Sequence, residues 1–163
     1  MTSHELAFAV LAVVGLFSAL RLVTTKNVVH GALYLVITLA MVGGVYLLLA
    51  AEFVAWVQIV IYVGAIVVLL LFSLMLTKAP IGRAALDNQQ RGVAAVVAAG
   101  VLAGLVTIIQ GAFSGTKFTP VPSRTAEIGA SIFRHFVAPF EVVSVLLLGA
   151  LIGAIALARR DEP

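Results

Sequence analysis

The chain has 163 residues, 63% of them hydrophobic and 10% charged, with ten Lys/Arg against seven Asp/Glu and no cysteine. Soluble domains carry about 25% charged residues, so this composition excludes a soluble or disordered chain and points to a polytopic membrane protein. The absence of cysteine excludes disulfides, thiolate zinc sites, iron–sulfur ligation and a cysteine nucleophile.

Five apolar spans follow in order. The first, residues 6–23, is followed rather than preceded by basic residues (Arg21, Lys26) and has no Ala-x-Ala site after it, so it reads as a span and not as a signal peptide. A polar turn, Thr24-Thr25-Lys26-Asn27, leads to the second span, residues 29–50. The break at Ala51-Glu52 is so short that the second and third spans are expected to form a tight antiparallel hairpin. The third span, residues 53–77, is rich in Val and Ile. An isolated strand in lipid leaves its backbone unsatisfied, so helix is expected. A polar stretch with Pro80, Gly82, Arg83, Asp87 and Asn88-Gln89-Gln90 precedes the fourth span, residues 92–113, where Gly100 and Gly104 form a small-xxx-small pair suited to close helix packing. Residues 114–134 form the longest extramembrane stretch. Within it, residues 126–136 have the pattern of an interfacial helix, with Ile128, Ile132 and Phe133 on the apolar side. The fifth span, residues 139–158, starts near Pro139, a favoured first-turn position, and stops at Arg159-Arg160. The reading is an all-α, five-span membrane domain covering residues 1–163.

Five spans put the termini on opposite sides. Arg21, Lys26, Lys78, Arg83, Arg91, Arg159 and Arg160 fall on one side, and only Lys117, Arg124 and Arg134 on the other. The positive-inside rule predicts the N-terminus outside and the C-terminus in the cytoplasm. Nothing resembles a transit peptide, which favours a bacterial plasma membrane.

His4, His30 and His135 lie in three regions without metal-ligand spacing. No Lys/Arg stripe suits nucleic acid, and no phosphate loop, catalytic triad, haem ligand pair or dinucleotide fingerprint is present. The polar exceptions in the third span carry what chemistry remains. On a regular helix Gln58, Tyr62 and Ser73 share one side, with Ala65 and Leu69 between them, and this stripe is expected to face partners. Tyr62 lies about ten residues into the span, roughly 14 Å deep, where its hydroxyl needs a helix–helix hydrogen bond, a water or a ligand. Gly64 is as readily a packing glycine as a functional one. About 25 residues make roughly 37 Å of helix against a core of about 30 Å, so the span must tilt, protrude or contain an irregular turn such as a π-bulge. Glu52 and Glu141 sit in the first turns of the third and fifth spans, where a carboxylate is favoured by the helix dipole. Neither is at the bilayer midplane, where an ionisable group is a functional candidate by default.

Tyr62-Val63-Gly64-Ala65-Ile66-Val67-Val68-Leu69 resembles the third helix of the subunit-J membrane protein of NADH–quinone oxidoreductase, respiratory complex I, the counterpart of mitochondrial chain 6. Asn27-Val28-Val29-His30-Gly31-Ala32-Leu33-Tyr34 resembles the family's N-P-V-H-x-A-L-Y segment, Ala51-Glu52-Phe53 its A-E-F link, and the run from Pro139 to Leu148 its P-F-E-x-x-S-V-L-L-L segment. Two positions depart from the pattern. Val28 stands where the family often has proline, so the second span is expected to begin slightly differently. Gln58 stands where some members carry glutamate, which removes a proton-carrying role there.

The resemblance implies a subunit without cofactors of its own, lodged between the quinone-reducing module and the antiporter-like pumps. NADH, FMN, iron–sulfur clusters and quinone belong to the assembled complex. The implied neighbours are the lipid bilayer and subunits K, H, A and N, K being the small three-span protein and H the one at the quinone cavity. It also implies a third helix that converts between bulged and regular forms to open or close a hydrated proton link. In that scheme Gly64 permits the bulge, Tyr62 anchors it, Val68 gates water, and Glu52, Gln58 and Glu141 support position and hydration. Competing expectations are an equivalent subunit of a cation/proton antiporter or membrane-bound hydrogenase, a stand-alone transporter, and a scaffold with no moving part. Against the transporter, the chain has no discontinuous helix pair, no repeat and no membrane-centre charge.

Overall fold

The computed structural model describes residues 3–77, 90–115 and 124–159. Among the described residues five helices are long and apolar enough to cross a membrane: Ser3–Thr24, Val28–Leu48, Glu52–Leu76, Gly92–Phe113 and Val137–Ala158. In chain order the elements are α1 (Ser3–Thr24), α2 (Val28–Leu48), α3 (Glu52–Val57), a π-helical segment (Gln58–Ile66), α4 (Val67–Leu76), α5 (Arg91–Phe113), α6 (Thr125–His135) and α7 (Val137–Ala158). The third span is thus α3, the π segment and α4 end to end. The expectations for Lys78–Gln89, Lys117, Pro120, Pro122 and the residues after Arg159 lie outside the described residues.

Four Ser/Thr hydroxyls bond back to their own helices, where lipid offers nothing. Thr24 Oγ1 donates to the Leu20 carbonyl at 2.7 Å, Thr38 Oγ1 to Tyr34 at 2.9 Å, Thr107 Oγ1 to Gly104 at 2.8 Å and Ser144 Oγ to Phe140 at 2.9 Å. Asn27 caps α2, its Oδ1 accepting from the backbone N–H of Val29 at 3.0 Å and of His30 at 3.3 Å. Val28 is therefore the first helical residue, the one place where a proline fits without losing a hydrogen bond.

Helix α2 is the centre of the described packing, in contact with α1 on one side and with α3, the π segment and α4 on the other. Two adjacent glycines make both approaches possible. A Cβ at Gly44 would lie 2.9 Å from Cδ2 of Leu11 on α1, and one at Gly43 would lie 2.9 Å from Cδ1 of Ile59 in the π segment. Gly15 of α1 meets Met41 in the same manner, a Cβ there falling 3.2 Å from the Met41 Cβ. At the end of the α1–α2 hairpin the Arg21 guanidinium lies 5.7 Å above the Tyr34 ring, and its Nε reaches the Tyr34 hydroxyl at 3.5 Å.

The hairpin from α2 into α3 is as tight as the sequence implies. Ala50 N–H donates to the Leu47 carbonyl and Ala51 N–H to the Tyr46 carbonyl, each at 3.0 Å, and Ala50 has φ +56°. This is the double-bonded helix stop that ordinarily carries glycine. Here an alanine holds the left-handed conformation, at a steric cost of about 1–2 kcal/mol.

Helices α5 and α7 stand differently. Among the described residues α5 packs against no other helix, and α7 touches only α6. A Cβ at Gly100 or Gly104 would meet nothing within 4 Å, so the close approach expected there has no partner inside the described chain. The amphipathic α6 leans on α3 and α7, with Ile128 and Ile132 half-buried and Phe133 in an edge-to-face contact with Phe140 at 5.2 Å. Its Glu127 lies in the first turn and Arg134 and His135 in the last, complementing the helix dipole.

Ala50→Gly is expected to stabilise the chain by about 1 kcal/mol by relieving the left-handed alanine. The measurement is the denaturant midpoint of helix loss in mixed micelles, and an unchanged or lower midpoint contradicts strain at this turn. Gly44→Val is expected to cost about 2 kcal/mol by overpacking against Leu11, and Leu11→Ala in the same chain should recover part of that loss on the same titration.

Candidate functional site

The third span enters at Glu52 and runs without a charge to Leu76. Within it, the N–H of Val67 donates to the carbonyl of Tyr62, a bond across five residues where an α-helix spans four. The segment Gln58–Ile66 is π-helical, so an irregular turn, one of the three options that the span's length leaves open, is present around the Tyr-x-Gly step.

Its consequence is a change of face. Counted from Gln58 at about 100° per residue, a regular α-helix returns to the same side at Tyr62, Ala65 and Leu69, and points Val67 half a turn away. The structure has the opposite arrangement. Gln58 is 7% exposed and Val67 1%, whereas Tyr62 is 45% exposed and Ala65, Leu69 and Ser73 are open. The polar stripe expected to run from Gln58 to Ser73 is therefore split. Gln58 faces the chain's own α2, and Tyr62, Ala65, Leu69 and Ser73 face away from it. Each turn closed by an i→i+5 bond takes up one residue more than an α-turn, and the accumulated shift brings Val67 onto α2.

Gln58 is held by one directed contact. Its Nε2 donates to the Leu39 carbonyl of α2 at 3.3 Å, which gives the buried amide a partner. Tyr62 has no such contact: its hydroxyl has no hydrogen-bond partner among the described residues. Of the three options for that hydroxyl, a helix–helix bond within the described chain is ruled out. Gly64 is less constrained than its position suggests. A Cβ there would meet only the Ile59 carbonyl at 3.5 Å, an ordinary contact, and its φ is not left-handed. Val68 is 61% exposed, on the side away from α2.

Glu52 begins α3 in an exposed first turn. Glu141 lies one turn into α7, exposed, beside a shallow groove with Ala138, Val142 and Val145. The structure brings Gln58, Tyr62, Gly64 and Val68 together on one segment and leaves Glu141 on a helix that does not touch it. The sequence reading does not single out Leu39 and Gly43, the α2 groups that receive Gln58 and Ile59. The available signal was the Gly43-Gly44 pair amid the bulky residues of the second span. Among the described residues no three His, Asp or Glu side chains converge as a metal site.

Gln58→Leu is expected to lower the chain's stability by about 1 kcal/mol through loss of the interhelical hydrogen bond. Tyr62→Phe, which removes a hydroxyl with no partner in the described chain, should leave it within about 0.5 kcal/mol. Denaturant titrations in mixed micelles compare the two, and a larger loss for Tyr62→Phe would show that its hydroxyl is bonded within the chain.

Comparison with known proteins identifies the family. The family described as NADH-ubiquinone/plastoquinone oxidoreductase chain 6 matches residues 18–157. Subunit J of the F(420)H(2) dehydrogenase of Methanosarcina mazei is 43% identical, over 94% of this chain and 90% of its own length. The NAD(P)H-quinone oxidoreductase chain 6 of Leptolyngbya boryana is 40% identical, over 95% of this chain and 79% of its own. The NADH-quinone oxidoreductase subunit J of Rhodobacter capsulatus is 36% identical, over 99% of this chain and 85% of its own. With five helices long and apolar enough to cross a membrane among its described residues, the chain has the character of a membrane-embedded subunit, and it belongs to the NADH-ubiquinone/plastoquinone oxidoreductase chain 6 family.

Proposed function

We propose that this chain couples quinone reduction to proton translocation in a proton-pumping quinone oxidoreductase, through a third span that converts between π and α geometry. The observation that carries the reading is the π segment itself, in the middle of an uncharged membrane span, with Val67 N–H bonded to the Tyr62 carbonyl. π turns are rare and concentrate at functional positions. Conversion to a regular helix, with Gln58 held in place, turns everything beyond it by about half a turn. Val67 leaves α2, Tyr62, Ala65 and Leu69 turn toward it, and Val68 changes what it faces. A rotation of that size can make or break a file of water between neighbouring subunits. Gln58 carries no proton, so its part is positional. Glu52 and Glu141 hydrate the outer ends of their spans.

The basic residues favour an N-terminus outside and a C-terminus in the cytoplasm, and the likeness to the Rhodobacter protein supports a bacterial plasma membrane. The chain acts as one membrane unit, residues 1–163. Its partners on this reading are subunits K, H, A and N, with NADH or another two-electron donor, FMN, iron–sulfur clusters and quinone held elsewhere in the assembly. The relatives' names include F(420)H(2), NAD(P)H and NADH, and a subunit without a redox centre can serve any of these donors. A scaffold role is the second reading, supported by α5, which packs against no other helix among the described residues, and by α7, which touches only α6; both suit insertion between partner helices.

Gly64 distinguishes the two. The π form accommodates a Cβ at this position, so Gly64→Ala should keep most activity, while Gly64→Leu adds a branched side chain where α and π forms differ. With assembly measured in parallel, Gly64→Leu is expected to lower protons translocated per quinone reduced by about tenfold, a bias near 1.4 kcal/mol. A Gly64→Leu complex that assembles and pumps normally would leave only the scaffold role.

A further inference from the structure

We propose that Gly43 of α2 and Gln58 form a clamp that fixes the N-terminal end of the π segment, making both positioning residues for the conversion. The inference rests on the coupling reading above and adds which part of the span stays still and what holds it.

Both contacts fall on one turn of α2. The Gln58 side chain donates to the Leu39 carbonyl at 3.3 Å, and Leu39 lies one helical turn before Gly43. That carbonyl already serves the α2 backbone four residues on, so the Gln58 amide uses its second lone pair. A Cβ at Gly43 would meet Ile59 Cδ1 at 2.9 Å, Ile59 Cγ1 at 3.3 Å and Gln58 Cγ at 3.6 Å. The missing side chain of Gly43 is thus the space that Ile59 fills, directly beside the amide bond. One turn earlier Ala55 is also buried. The two contacts are different in kind, a directed hydrogen bond and a steric seat, and together they fix both the depth and the rotation of the segment's first residues.

Beyond Ile59 the restraint ends. Residues 60–62 and 64–66 are exposed, and the next buried position is Val67, an apolar contact with no directed bond from its side chain. A valine can leave an apolar surface of α2 for another apolar surface at little cost, whereas withdrawing Gln58 strands a buried amide. The asymmetry makes the α3 side the fixed part and the α4 side the moving part. It also accounts for glutamine at this position without proton chemistry: a neutral amide donates to a carbonyl at every pH, and an ionised carboxylate does not.

The test is a size exchange across the seat, in the assembled complex reconstituted into vesicles. Gly43→Ala pushes Ile59 out of place, and Ile59→Ala in the same chain returns the space. Gly43→Ala is expected to lower protons translocated per quinone reduced by about fivefold, and Gly43→Ala with Ile59→Ala to restore the ratio to within about twofold of the starting protein. Wild-type coupling in Gly43→Ala, or a double variant as impaired as the single one, overturns the clamp. Should Gly43→Ala prevent assembly, recovery of assembly but not of coupling in the double variant also overturns it. Gln58→Leu, close in volume and leaving the Leu39 carbonyl its backbone partner, should lower the same ratio with the complex still assembled; an unchanged ratio overturns the amide's part. Gly64→Leu separates this inference from the reading beneath it. If Gly64→Leu uncouples and the clamp variants do not, the clamp is wrong and the conversion stands. If Gly64→Leu also pumps normally, the coupling reading itself fails.

Discussion

Two neighbouring glycines on α2 govern the described packing. Adjacent residues of a helix point about 100° apart, so Gly43 and Gly44 open two notches on two sides of the same helix. Leu11 of α1 fills one and Ile59 of the third span fills the other. Without a hydrophobic driving force between helices in lipid, close van der Waals approach and interhelical hydrogen bonds are what hold such a group together. The contacts at Gly43 and Gly44 supply the first, and Gln58 on the Leu39 carbonyl supplies the second. A side chain at either position would push one neighbour away while leaving the other in place.

That arrangement also explains how an irregular segment persists inside a membrane helix. A π turn forfeits the better hydrogen-bond geometry of the α-helix, so something outside the backbone must favour it. Here Gln58 and Val67 both lie against α2, and nine residues of regular α-helix cannot put both there. Burying both ends requires the wider turns. The competing α form would bring Tyr62, Ala65 and Leu69 to α2 instead. On the proposed conversion the span would exchange one contact face for the other.

Much of the fold was legible because membrane physics is strict. Charge spacing alone delimits five apolar runs, and the brevity of the Ala51-Glu52 break implies the hairpin. The local solution at that hairpin was not legible, because Ala50 has no sequence mark of a left-handed residue; glycine would have announced it. In the candidate site the residue types were readable and their faces were not. Gln58, Tyr62, Ala65, Leu69 and Ser73 make one stripe only on a regular helix, and helical periodicity assumes the regularity that the π segment breaks. Gly64 drew notice for lying beside Tyr62, yet the closest packing of the third span is at Gly43, on another helix. A glycine's importance depends on what approaches it, which a single sequence does not record.

The sparsely packed helices follow from the same physics. Helix α5 has glycines at 92, 100, 104 and 111 with open space around each, and α7 presents an almost wholly exposed apolar surface with Glu141 near its start. A water-soluble chain could not keep such surfaces, but in a bilayer lipid covers them without penalty, so their exposure does not by itself demand a protein neighbour. What does ask for one is polarity. The Tyr62 hydroxyl lies at mid-span without a bond in the described chain, and hydrocarbon cannot satisfy it. The side of the third span that carries Tyr62 and Val68 must therefore meet protein or water in the working assembly. The α2 side holds the span, and the Tyr62 side is where its rotation would be felt.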